Sequence, residues 1–149
     1  MQNLATQPHK FKYLAILKTL ERYRFLTLNQ FVALLNARAF SQVRKMVFQL
    51  WKHNYLERLI LTRATKKLSI YYVFALSRLG ARHLTVTLNK EKIFYLKSND
   101  KRSSLFLEHT LLINNFRICL ELLSQKNNGA RLIFWTHAKQ DLRIRLNAY

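Results

Sequence analysis

The sequence predicts an α+β fold: a winged helix-turn-helix extended by a long C-terminal helix and a small β element. Three observations lead there. Up to His53, apolar residues recur at a helical period in three successive stretches, the second of them short. Over 55–76 the pattern turns to extended runs rich in β-branched and aromatic residues, split by a basic tip at 63–67. The formal charge is +19, with 26 Lys and Arg against 7 Asp and Glu, and it is carried by ordered-looking sequence, not by a tail.

Residues 1–9 read as a flexible N-terminal arm, with Pro8 as a stop before the first helix. Over 10–24, Tyr13, Ile16, Leu17 and Leu20 form a helical stripe. The next start signal is strong. Thr27 and Gln30 fit a capping box, and Leu26 and Phe31 fit a hydrophobic staple around it, predicting a second helix over 28–35. A turn over 36–40 leads to the third helix, with Ser41 at its N-cap.

Val43, Met46, Val47, Leu50 and Trp51 share one face of that third helix; Gln42, Lys45, Gln49 and Lys52 share the other. The outward face has long donors and no carboxylate, as a helix in a DNA major groove requires. A basic helix face is more often merely solvated. The flanking segments decide otherwise here, because a short helix before it and a basic hairpin after it compose a winged helix.

The strands are predicted over 55–62 and 68–76. In the second, Leu68, Ile70, Tyr72, Phe74 and Leu76 alternate with Ser69, Tyr71, Val73 and Ala75. On such a strand, Tyr71, Tyr72 and Phe74 read as core before they read as base-stacking groups. Trp51 reads as the packing link between the third helix and the hairpin. Ser77 then caps a helix over 78–88, with Gly80 allowing close packing. Residues 89–103 are a basic connector. Ser103 or Ser104 opens the longest helix, 105–124, whose apolar face is Leu105, Leu112, Phe116, Cys119, Leu120 and Leu123. A helix this apolar must be covered, by the first domain or by a copy of itself. Short strands are expected over 131–136 and 142–146. The organisation is therefore an arm over 1–9, a DNA-binding domain over 10–88, and a packing or dimerisation extension over 89–149.

Composition narrows the classes. Half of the 149 residues are hydrophobic, enough for a core, while 2 Gly and 1 Pro are too few for a β-sandwich. One cysteine cannot form an internal disulfide. No signal peptide or membrane-length apolar run is present, which predicts a cytoplasmic protein without membrane contact.

The segments YLAILKTLERYRFLTLNQFVALL, VRKMVFQLWKHNYLERL, YYVFALSRLGARHL and FLEHTLLINNFRICLEL together resemble the replication-relaxation proteins, over 13–135. The first three are generic to winged helices. Glu108-His109-Thr110-Leu111, with Asn114, Phe116 and Arg117, is the more particular mark. The resemblance implies a winged-helix protein of plasmids and mobile elements, acting on DNA in replication, relaxation or mobilisation, with no catalysis attached.

Catalytic signatures are missing. Gly80 and Gly129 cannot build a phosphate-binding loop. The five histidines have no metal-ligand spacing. Glu108 and His109 are helix neighbours about 100° apart. His109 and Asn115 read as polar groups hydrogen-bonded within the packing of the long helix, and Glu121 with Asp141 is a weak nuclease half-site. The expectation is a non-enzyme without cofactor or metal.

The predicted function is double-stranded DNA binding in plasmid or mobile-element replication, transfer or transcription control. The helix over 41–53 would lie in the major groove, with Ser41, Gln42, Lys45 and Gln49 near base edges. Arg44 and Lys52 would hold phosphate, and Arg63, Lys66 and Lys67 would anchor the wing. A homodimer through the long helix is expected, and a replication or mobilisation protein is a further candidate partner. Two rivals remain at this level: an RNA-binding protein, and a protein-interaction adaptor whose basic surface serves localisation.

Overall fold

The computed structural model describes residues 10–63, 69–98 and 100–126. Over these the fold is α+β, with five helices and a three-stranded antiparallel sheet. Helix α1, Lys10–Tyr23, buries Tyr13, Ile16, Leu17, Leu20 and Tyr23. Arg24 follows with φ 66° and turns the chain into the two-residue strand β1, Leu26–Thr27.

The capping box forms as the local signal demands. Thr27 Oγ1 accepts from the Gln30 backbone N–H while Gln30 Oε1 accepts from the Thr27 N–H, starting α2, Leu28–Leu34. Helix α3, Phe40–Lys52, buries Val43, Met46, Val47 and Leu50 against α1 and α2. Its N-cap is Ala39, without a side-chain hydrogen bond. The predicted Ser41 cap is thus corrected: the extended backbone at Ala39 starts the helix earlier, and Ser41 lies exposed in its first turn.

Strands β2, Leu56–Arg63, and β3, Ser69–Leu76, pair along their whole length from Leu56↔Leu76 to Arg63↔Ser69. β1 adds to the other edge of β3 through Leu26↔Phe74, giving the order β1-β3-β2. Helix α4, Arg78–Leu88, is capped by Ser77, whose Oγ accepts from the Gly80 N–H and donates to the Asn54 carbonyl. Gly80 lies so close to the Tyr55 carbonyl that a Cβ would overlap it. The junction between α3 and β2 is therefore held by the start of α4.

Both faces of the sheet are covered. Leu56, Phe74 and Leu76 pack on the α1–α3 core. Leu61, Val73 and Ala75 pack on the opposite side with Phe25, Leu96, and Leu107 and Leu111 of helix α5, Ser104–Lys126. The alternation expected for β3 consequently fails at its end, where Val73, Phe74, Ala75 and Leu76 are all buried. It also fails at Tyr71 and Tyr72, which are exposed rather than core. The described residues of the connector over 89–103 form no regular helix or strand, yet Ile93 and Leu96 are buried and Leu96 N–H donates to the Leu76 carbonyl.

The long helix forms as expected but faces the other way. Leu107, Leu111, Asn114, Arg117, Ile118 and Glu121 turn inward, whereas Leu105, Leu112, Phe116, Cys119 and Leu123 are exposed. His109 is exposed as well, against expectation, while Asn115 accepts a hydrogen bond from Gln30 Nε2 at 2.7 Å. Polar residues dock this helix: Asn114 and Arg117 donate to backbone carbonyls of the first domain, and Glu121 pairs with Arg22 and Arg117. No helix among the described residues is long and apolar enough to cross a membrane. The predicted arm over 1–9, the tip residues Lys66 and Lys67, Asp141 and the strands over 131–136 and 142–146 lie outside the described residues.

Candidate nucleic-acid interface

The outward face of α3 has the composition predicted for it. Ser41, Gln42, Arg44, Lys45 and Lys52 are exposed and Gln49 is half-buried. Steps of three and four residues put Gln42, Lys45, Gln49 and Lys52 in one stripe along the helix. Arg44 stands beside it, with its guanidinium 5.7 Å from the centre of the Phe48 ring one turn on. Arg63 ends β2, next to the undescribed tip.

Strand alternation continues this surface onto the sheet. Even-numbered residues of β2 and β3 share a face with α3, and odd-numbered residues face α5. Arg58 is therefore on the α3 side while its neighbour Glu57 points to the far side, where Ser98 Oγ donates to it at 3.0 Å. The Arg58 guanidinium lies 3.8 Å from the Trp51 ring centre and 4.7 Å from that of Tyr72. Phe48 meets Trp51, Tyr72 and Phe74 edge to face, at 5.9, 6.2 and 5.8 Å. These aromatics lock the end of α3 to the hairpin and hold Arg58 between two π-faces. Trp51 is thus the packing link that its position in the sequence suggested, and a cation holder too.

Arg58 was missed at the sequence level, and Tyr72, read there as core, is exposed. The signal was available in outline: Arg58 shares the parity of Leu56 and Ile60, and Glu57 has the opposite one. The pairing Ile60↔Tyr72, with Ile60 exposed, extends the same face toward the tip.

Among the described residues, α3 and β3 carry no carboxylate, and Glu57 of β2 points to the far side. Glu21 pairs with Lys90 at 2.6 Å, Asp100 with Arg102 at 2.7 Å, and Glu121 with Arg22 and Arg117 at 2.8 and 3.1 Å. None of these belongs to α3, β2 or β3. Long donors, one pre-stacked guanidinium and exposed aromatic edges are the groups that meet phosphates and base edges. Among the described residues, no group of three or more His, Cys, Asp or Glu could hold a metal ion.

No curated protein matches the chain, and no solved structure does. Residues 17–146 match the replication-relaxation family, so the match covers α1 from Leu17 and every later element described above. The chain belongs to the replication-relaxation family.

Proposed function

We propose that the protein is a winged-helix binder of double-stranded DNA that serves plasmid or mobile-element replication or relaxation. The observation that carries this reading is the acid-free row of Gln42, Lys45, Gln49 and Lys52 on α3, flanked by Arg58 and Tyr72 of the hairpin at Trp51. The element order supports it: helix, short strand, helix, helix and hairpin, with the first strand pairing beside the last. That order leaves α3 free to enter a major groove while β2 and β3 reach along the flanking backbone.

In this reading Gln42, Lys45, Gln49 and Ser41 approach base edges, and Arg44, Lys52 and Arg58 hold phosphates. Arg63, Lys66 and Lys67 extend the contact at the hairpin end. The role in this reading is binding without catalysis: Glu121, the acid of the weak half-site with Asp141, is paired with Arg22 and Arg117. The replication-relaxation family supplies the biological setting.

The test is fluorescence anisotropy on short duplexes across a salt series. With about six phosphates neutralised, affinity should fall about 10³-fold between roughly 50 and 200 mM salt. Paired substitution K45E/K52E should abolish binding while leaving the melting transition in place. A flat salt response, or unchanged affinity in that variant, would refute the reading.

A further inference from the structure

We infer that the open face of α5 is a docking surface for a second copy of this chain, laid antiparallel across it. The inference does not depend on DNA binding. It begins with the spacing of the exposed residues. Leu105, His109, Leu112, Phe116, Cys119 and Leu123 follow one another in alternate steps of four and three residues, the period of a coiled-coil seam. Their exposures are large: 77 % for Leu105, 61 % for Leu112, 51 % for Phe116 and 55 % for Leu123. Leu107, Asn114 and Glu121, which dock α5 onto its own domain, lie on the opposite side of the helix. The helix therefore has two working faces back to back.

Charge selects the occupant. Two copies carrying +19 each repel wherever their cations meet. Arg117 is the only Lys or Arg from Ser104 to Gln125, and it is buried on the docking side. The seam is thus the uncharged strip of a strongly cationic protein. A nucleic acid gains nothing from it, and a second copy meets least repulsion there. The exposed run from Leu105 to Leu123 is about 27 Å long, enough for several layers of a helix pair.

Self-complementarity selects the direction. Antiparallel pairing centred on residue 114 sets Leu112 of one copy against Phe116 of the other, His109 against Cys119, and Leu105 against Leu123. Each layer then joins residues of compatible bulk. Parallel pairing would stack Phe116 on itself and Cys119 on itself, alternating a crowded layer with a thin one. Antiparallel helices also align their dipoles favourably.

The experiment is sedimentation equilibrium of the full chain, with the variants L112K and F116E. The wild type should be dimeric at micromolar concentration. Each variant alone would bury two unpaired charges in its homodimer, so its self-association should weaken about 100-fold or more. Both positions are exposed in the single chain, and melting curves should confirm that each variant folds. Mixed in equal amounts, the two variants should recover a one-to-one dimer, because antiparallel pairing sets the Lys of one against the Glu of the other. A monomeric wild type would overturn the inference, as when the chain's own residues 127–149 take this face. Undiminished association of either variant, or no recovery on mixing, would overturn it too.

Discussion

The Asn114 side-chain amide donates to the carbonyls of both Tyr23 and Phe25, at 3.2 and 2.6 Å. Arg117 Nη1, one turn along α5, donates to the Arg22 carbonyl at 3.0 Å. The last carbonyls of a helix lack intrahelical partners. Here a helix some 90 residues later in the chain satisfies those of α1. Replacing Asn114 with Leu keeps the branched shape but removes the donor from two buried carbonyls, leaving the Tyr23 carbonyl with the Phe25 N–H alone, and should destabilise the fold by about 1–3 kcal/mol. Chemical denaturation of N114L beside wild type measures this.

Tyr23 is buried, its ring 4.3 Å from the Arg117 guanidinium. Burial, and then the Glu121 carboxylate beside it, push its phenol well above the ordinary value of 10.0. A raised folded pKa means that the folded chain holds the proton more tightly than the unfolded one. The stabilisation is complete below about pH 10 and is lost as pH rises toward the folded value. Denaturation midpoints between pH 8 and 11 should therefore fall less steeply in Y23F than in wild type.

Arg58 should matter to DNA binding through its shape as well as its charge. R58A should weaken binding about tenfold, as loss of one charge-assisted phosphate contact implies. R58K should recover only part of that, since an ammonium does not stack between Trp51 and Tyr72 as a planar guanidinium does. Duplex titrations at one fixed salt concentration, with circular dichroism to establish folding, distinguish the three proteins.

Gly80 is tied to a contact, not to a turn. A methyl group there would press on the Tyr55 carbonyl, which also accepts the Ser77 N–H at 3.1 Å. G80A should lower stability by about 1–3 kcal/mol despite alanine's better helix propensity. Thermal unfolding of G80A and of a control, T87A on the exposed side of α4, separates overlap from propensity.

The features legible in the sequence were those whose signals are local. Thr27 with Gln30, and Ser77 before Arg78, announce helix starts because the cap oxygen and the backbone N–H that donates to it lie three residues apart. The α3 stripe was legible because apolar and polar positions separate cleanly at a helical period. The docking face of α5 was not, because Asn114, Arg117 and Glu121 look like solvent-facing residues until their distant partners are known. Val73 and Ala75 were misread for a related reason: only α5 and the segment around Leu96 make the second face of the sheet an interior. Arg58 was overlooked because its value depends on Trp51 and Tyr72 meeting across two elements.

The parity of β2 sorts charge as well as hydrophobicity. A slip of one residue against β3 would bring Glu57 onto the α3 side and send Arg58 behind the sheet. The same slip would expose Leu61. Misregistered chains would thus be unstable and, if the proposed function holds, would also present an anionic spot to the phosphates of DNA. Correct register is guarded twice, once by oil and once by sign.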